Sequence, residues 1–270
     1  MKFVTEEDLK LSYLTFGRGV ETVICFHGHS KDAEDFRFLE EFNVKVIAIN
    51  LFLHGESTFS EARINDRPIT TFDVEKMLAK ILDQEKVDHF HLLAYSQGGR
   101  FVLSFLPHFV HRVKSLQLLA VDGLNDRNFY TWAKRRWWAR KLFKRWTKKP
   151  NELLGIIRFL NRINVVHPKI HDFVAHYAAE PEKLKLAYQT FCAFRKLRPS
   201  TKKLQPLFAN STFTFKLILG EFDQIVTVES GKKFLKKIER PDALTIIPSG
   251  HDFFKPESLV EVKKVITFER

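Results

Sequence analysis

The chain has 270 residues, 44% of them apolar, which is enough for one sizeable core with room for an insertion. Its 44 lysines and arginines against 32 aspartates and glutamates leave a net charge of +12, which permits contact with phosphate or anionic surfaces without specifying any. Two cysteines exclude a disulfide framework, no apolar run approaches the roughly 20 residues of a membrane span, and the acidic opening Met1 to Asp8 does not read as a signal peptide, so a cytoplasmic protein is expected.

In chain order, Leu9, Leu11, Tyr13 and Thr15 alternate as in an antiparallel edge strand. Thr22 to Phe26 is a β-branched, apolar strand that stops at His27-Gly28-His29-Ser30, with Cys25 reading as a buried, reduced thiol. The pattern predicts a helix over Ala33 to Phe42, then a strand over Val44 to Asn50 that runs toward His54-Gly55-Glu56-Ser57. A helix over Phe72 to Leu82 precedes the strand Val87 to Tyr95, which ends at Ser96 and gives way at once to Gly98 and Gly99. A serine on so tight a strand-to-helix turn is held in a strained conformation, so the residues two before and two after it must be small. Ala94 and Gly98 fill those places, and the hydroxyl is left clear of both elements. The helix Arg100 to Phe109 and the strand Val113 to Val121 follow, ending at Asp122-Gly123.

About 90 residues then separate Gly123 from the next strand, far more than an ordinary connection needs. Helices are expected over Asp126 to Lys148, Asn151 to Arg162, Ile170 to Ala179 and Glu182 to Leu197. At about 100° per residue the first gathers Trp132, Trp138, Ala139, Leu142, Phe143 and Trp146 on one side, interrupted by Arg135. Lys134, Arg136, Arg140, Lys141, Lys144 and Arg145 fall on the other. Three readings compete for this helix. Its aromatic side packs on the core and its basic side is merely solvated; or the charge attracts a lipid-like or anionic substrate, or gives a loose contact with an anionic membrane surface; or it touches nucleic acid, for which no recognised motif is present. His167, His171 and His176 with Asp172 approach a metal-ligand spacing, but Pro168 and the missing glutamate of a zincin motif argue against zinc, and no metal is expected.

The strand Thr214 to Leu219 runs into Gly220-Glu221-Phe222-Asp223-Gln224-Ile225-Val226, and a helix follows over Glu229 to Ile238. The strand Ala243 to Ile247 leads to Pro248-Ser249-Gly250-His251-Asp252, and a last helix covers Glu257 to Ile266. Strands alternating with helices imply a mostly parallel sheet covered on both faces.

The turn Ala94-Tyr95-Ser96-Gln97-Gly98-Gly99, the His-Gly turn at 27–30, the loop at 54–57, the acid loop at 220–226 and the histidine loop at 248–252 together resemble the machinery of the α/β-hydrolase family. Ala94 stands where that family's elbow more usually has glycine. The resemblance spans nearly the whole chain and implies an α/β fold: a mostly parallel sheet of about eight strands with helices on both faces, and a helical cap inserted over the active site after the sixth strand. It divides the chain into a first core part, 1–122, the cap, 123–212, and a second core part, 213–270. It implies Ser96 as nucleophile, His251 as proton carrier and Asp223 as the acid that orients it, with Asp122 as the alternative acid. The backbone N–H groups of His29 and Gln97 would form the oxyanion hole. The expected reaction is hydrolysis of a carboxylic ester or thioester through an acyl-Ser96 intermediate, on a small acyl substrate of lipophilic or anionic character and without a cofactor. C–C bond hydrolysis or a lyase reaction on the same triad is one alternative; a non-enzymatic binding protein using the basic, aromatic cap is another.

Overall fold

The computed structural model describes residues 1–124, 129–163, 168–210 and 213–268. One sheet contains β1 (Lys2–Glu6), β2 (Leu9–Phe16), β3 (Glu21–Phe26), β4 (Val44–Ile49), β5 (Thr58–Phe59), β6 (Phe90–Tyr95), β7 (Val113–Leu119), β8 (Thr214–Gly220) and β9 (Leu244–Ile247). Their spatial order is β1-β2-β4-β3-β6-β7-β8-β9, with β5 paired to β2. The β1–β2 and β2–β4 pairs are antiparallel, and every pair from β4 through β9 is parallel. Eight long strands therefore match the expected sheet, and β5, only two residues long, leaves no hydrophobic period by which to find it.

Alternate residues of the central strands enter different layers, because successive strand side chains point to opposite faces. Val23, Cys25, Val46, Ala48, Leu93 and Tyr95 join a buried cluster with Phe36 and Leu39 of the 3₁₀ helix Ala33–Glu41 and Val262 of the helix Pro256–Val265. Phe26 and Ile49 instead meet Val74 and Leu78 of the helix Thr71–Glu85 and Phe101 of the helix Gln97–Phe109. Two of these helices begin at capping boxes: Asp32 with Asp35, and Thr70 with Asp73.

The chain divides into two compact units. The first, Met1–Ser60, Thr70–Asp126 and Leu197–Arg270, contains the sheet and its helices. The second joins Glu61–Ile69 to Arg127–Lys196 and is helical. The insertion expected at 123–212 thus gains a short segment from before the elbow and yields its last part to the sheet unit. Hydrogen bonds account for the gain: Arg195 Nη1 donates to Ile64 O (2.7 Å) and Ile69 N to Ala193 O (2.9 Å). Packing accounts for the other change, since Phe208 of the helix Thr201–Asn210, which was not among the expected helices, lies against Phe213, Phe215 and Phe234.

The helical unit contains Phe129–Arg135, Trp137–Lys148, Pro150–Arg162, Pro168–Ala179 and Pro181–Ala193. Asp126, the expected start of the first helix, lies outside the described residues. That helix is also not continuous. Arg136 is extended (φ −90°, ψ 122°), and the bend lets Trp138 meet Trp132 edge-on at 5.7 Å while Arg140 Nη1 donates to the freed carbonyl of Lys134 at 2.9 Å. Lys134, expected on the solvated side, is only 2% exposed, with its Nζ 5.8 Å from the centre of the Phe191 ring. Among the described residues no helix is long and apolar enough to cross a membrane, and Cys25 and Cys192 are buried free thiols.

Two glycines give opposite expectations. A Cβ on Gly98 would lie 2.2 Å from the carbonyl oxygen of Phe26, whereas one on Gly155, within the helix Pro150–Arg162, would meet nothing within 4 Å. Thermal unfolding should show Gly98→Ala destabilising by about 3 kcal/mol, from a backbone clash that rotamers cannot relieve, and Gly155→Ala stabilising by about 0.5–1 kcal/mol.

Candidate active site

The strand order places β4 on one side of β3 and β6 on the other, so the direction of travel across the sheet reverses at β3. Loops leaving parallel strands diverge at such a point and open a crevice beyond the carboxyl ends. Each motif lies at one of those ends. His27 to Ser30 follows β3, Ser96 follows β6, and Asp223 and His251 follow β8 and β9 by a few residues.

Ser96 has φ 46° and ψ −115°, in the region that disfavours side chains. Its N–H donates to Leu119 O (3.0 Å), and its carbonyl accepts from Gly99 N (3.1 Å) and Asp122 N (2.8 Å), so both neighbouring elements hold the turn. A Cβ on Gly28 would stand 3.0 Å from Ser96 Cβ and 2.7 Å from the Tyr95 ring, which fixes how closely the His27–Ser30 turn approaches the serine. Gln97 begins the helix, where backbone N–H groups have no intrahelical acceptor and the helix dipole favours negative charge.

The structure brings three of the expected side chains together. Ser96 Oγ lies 3.0 Å from His251 Nε2, and His251 Nδ1 lies 2.7 Å from Asp223 Oδ2. Asp223 is 2% exposed, and its other oxygen accepts from Ile225 N (2.7 Å) and Val226 N (3.0 Å). Because a carboxylate is acceptor-only, it draws the proton of the imidazole to Nδ1 and leaves Nε2 as acceptor for the serine hydroxyl. The acid and histidine loops are joined by Glu221 N to Ile247 O (2.9 Å) and Phe222 N to Ser249 O (3.0 Å). Asp122 is placed differently: Arg100 Nε and Nη2 donate to its two oxygens, each at 2.8 Å.

Several positioning groups were not singled out from the sequence. Tyr95 Oη donates to the carbonyl of His251 (2.9 Å), and Lys31 pairs with Asp252 at 3.2 Å, tying the first turn to the histidine loop. A bulky hydroxylated residue directly before the serine was the available signal for Tyr95. His54 accepts from Ser30 N (3.2 Å) and donates from Nδ1 to Phe52 O (3.1 Å), so its loop supports the first turn. His27 accepts from Leu51 N (2.8 Å) and donates to Gly28 O (2.6 Å), so its ring bonds only backbone groups. Of the residues weighed for a metal, His167 and the side chains of His171 and Asp172 lie outside the described residues, and His176 Nε2 accepts from Lys183 Nζ (3.2 Å).

Comparison with known proteins adds a family match. The family described as alpha/beta hydrolase fold matches residues 21–258. A putative 2-succinyl-6-hydroxy-2,4-cyclohexadiene-1-carboxylate synthase of Bacillus subtilis (strain 168) is 34% identical over 100 residues, covering 36% of this chain but only 35% of that protein's length. An uncharacterized hydrolase of the same organism is 25% identical over 243 residues, covering 86% of this chain and 84% of its own. An esterase from Thermogutta terrifontis superposes with a TM-score of 0.65 at 19% identity, covering 95% of this chain and 92% of its own, a likeness of fold.

The buried histidines predict an acid limit to stability. Burial, the largest cause in each case, holds His27, His54 and His91 below the ordinary imidazole value of 6.5. The native state then binds fewer protons than the unfolded one, so their contribution is complete above 6.5 and is lost as pH falls toward the depressed native values. The melting temperature should fall between neutral pH and about pH 5, although burial raises the carboxyls of Asp35 and Glu75 and so opposes part of the fall; a flat profile in a variant carrying Asp35→Asn and Glu75→Gln would contradict this assignment.

Proposed function

The chain belongs to the α/β hydrolase fold family and is an enzyme of that type, and from this premise we propose that it is a serine hydrolase cleaving a carboxylic ester or thioester through an acyl-Ser96 intermediate. The observation that carries the proposal is the unbroken path from Ser96 Oγ to His251 Nε2 (3.0 Å) and from His251 Nδ1 to Asp223 (2.7 Å).

Ser96 Oγ attacks the acyl carbon while its proton passes to His251 Nε2. Asp223 stabilises the resulting imidazolium and keeps the ring in register. Negative charge moves to the acyl oxygen, where the N–H groups of His29 and Gln97 are the donors we assign to it. The carbon–oxygen or carbon–sulfur bond then breaks as His251 returns the proton to the leaving alcohol or thiol. Water repeats the sequence on the acyl-serine, with the same histidine as base. Protons and electrons balance with water as the co-reactant. The substrate we propose is a small acyl compound of lipophilic or anionic character, and a loose contact with an anionic membrane surface is the second partnership we propose. We place this activity in the cytoplasm, where the thiols of Cys25 and Cys192 stay reduced.

A second reading uses the same groups for C–C cleavage or elimination, and the similarity to a protein named as a synthase favours it. In elimination His251 takes a proton from carbon and Ser96 is not acylated; in C–C hydrolysis water adds to the carbonyl carbon and the departing carbon receives its proton through His251. Acyl esters and thioesters of graded chain length, assayed beside a substrate that can only eliminate, separate the two readings.

Ser96→Ala should lower kcat by on the order of 10³ or more with the fold intact, and should abolish labelling by a fluorophosphonate. Unchanged turnover in a clean preparation would remove the mechanism. Asp223→Asn should cost on the order of 10² to 10⁴ in kcat. Asp122→Asn should instead leave kcat within a few-fold and lower stability by about 2 kcal/mol, because it weakens the pairing of the buried Arg100. The reverse ranking in turnover would move the acid to Asp122.

A further inference from the structure

The helical unit carries a basic, aromatic surface to which the mechanism proposed above assigns no role. From Trp132 to Ile163 the chain has eleven lysines and arginines and one acidic residue, Glu152, so most of the excess charge of the whole protein lies on this segment. All four tryptophans of the chain are there as well. Trp137, Trp138 and Trp132 are 63%, 45% and 41% exposed, although an indole normally gains by burying its ring.

Geometry arranges these groups in a stripe. At about 100° per residue along the helix Trp137–Lys148, Trp137, Lys141, Lys144 and Lys148 share one side, and all four are exposed. Phe143 points the other way and packs on Tyr188 (5.8 Å) and Phe191 (5.3 Å) of its own unit. Of the three competing readings, inward packing of the aromatic side therefore holds only in part: Phe143 is half-buried and packed inward, and Trp132 and Trp138 are exposed. Cations bracket the exposed rings, with Lys141 Nζ 4.9 Å from the Trp137 centroid and the Arg136 guanidinium 5.4 Å from that of Trp132. Arg145 and Lys149 are engaged by Glu152, whereas Lys141, Lys144 and Lys148 face no acidic partner among the described residues. The next helix, Pro150–Arg162, adds a row of apolar side chains at helical spacing, in which Ile156, Phe159 and the following Ile163 are all exposed.

We propose that this face docks on an anionic lipid bilayer, with its helices lying in the interface, the indoles at headgroup depth and Lys141, Lys144 and Lys148 against lipid phosphates. Lysines attract an anionic leaflet over a Debye length, and tryptophan is the side chain that settles at the boundary between headgroup and acyl chain. The exposed aliphatic row decides between a membrane and a nucleic acid. Phosphates and stacked bases satisfy cations and aromatic rings, but Ile156 and Ile163 find a partner only in a bilayer. Docking is independent of the ester chemistry, so the Ser96→Ala protein docks as well as the parent.

Flotation of the full chain with vesicles at low salt tests this. The protein should float with an equal mixture of phosphatidylcholine and phosphatidylglycerol and stay behind with phosphatidylcholine alone, and its indole emission should shift to the blue on the anionic vesicles. Replacing Lys141, Lys144 and Lys148 together by glutamine should weaken partitioning by roughly 10²-fold. The double variant Trp137→Ala, Trp138→Ala should weaken it by roughly 10-fold at unchanged charge, and moderate salt should weaken the parent but not neutral-vesicle background. Far-ultraviolet circular dichroism and fluorophosphonate labelling, unchanged in both variants, confirm that they are folded. Absence of flotation with anionic vesicles, or equal flotation with neutral ones, overturns the proposal, as does full retention of binding in either variant. Tighter binding to oligouridylate than to the anionic vesicles overturns it in favour of a nucleic-acid surface.

Discussion

Ser96 is held at φ 46°, ψ −115°, a conformation that costs about 1–3 kcal/mol and persists only where the surroundings over-determine it. Its N–H and carbonyl are committed to Leu119, Gly99 and Asp122, and the absence of a side chain at Gly98 lets the helix start against the carbonyl oxygen of Phe26. The same constraint runs outward. Gly99 is pressed against Val121, and Gly28 against Tyr95 and Ser96, so β3, β6 and β7 meet at one point with no room for additional methyl groups. A turn so fixed points one hydroxyl out of the sheet and starts a helix beside it, and the proposed acyl transfer uses both features.

The histidines show how surroundings rather than residue type divide the work. His27 is fully buried, and both ring nitrogens are used on backbone groups; His54 supports the Ser30 N–H in the same manner. Burial keeps these rings neutral, so they act as fixed acceptors. His251 remains partly exposed, with one nitrogen on a buried carboxylate and the other on a serine hydroxyl, so its ring is held in one orientation between the two.

Much of this was legible in the chain because parallel strands buried on both faces leave continuous apolar runs, and each loop motif begins where a run stops. Val113 to Val121 and Thr214 to Leu219 could be read as strands, and Ser96, Asp223 and His251 lie just beyond strand ends. What escaped depended on contacts between distant residues. The helix expected to run from Asp126 to Lys148 breaks at Arg136 because Trp132 and Trp138, and Arg140 with Lys134 O, find each other only across the bend. Residues 61–69 belong with the helical unit through backbone carbonyls that accept from Arg195, and main-chain acceptors leave no pattern in a sequence. Tyr95 reads as one more apolar strand residue until its hydroxyl is seen on the carbonyl of His251.

The account turns on whether Ser96 becomes covalently acylated. Rapid mixing of the protein with a chromogenic acyl ester, quenched within the first turnover and read by intact-mass and peptide mass spectrometry, addresses this most directly. An initial burst approaching one leaving group per chain, with the acyl mass on the peptide that contains Ser96, is the predicted result. Turnover that is linear from the first instant, in which the quenched chain never carries an acyl mass even with the slowest-deacylating ester, would contradict it.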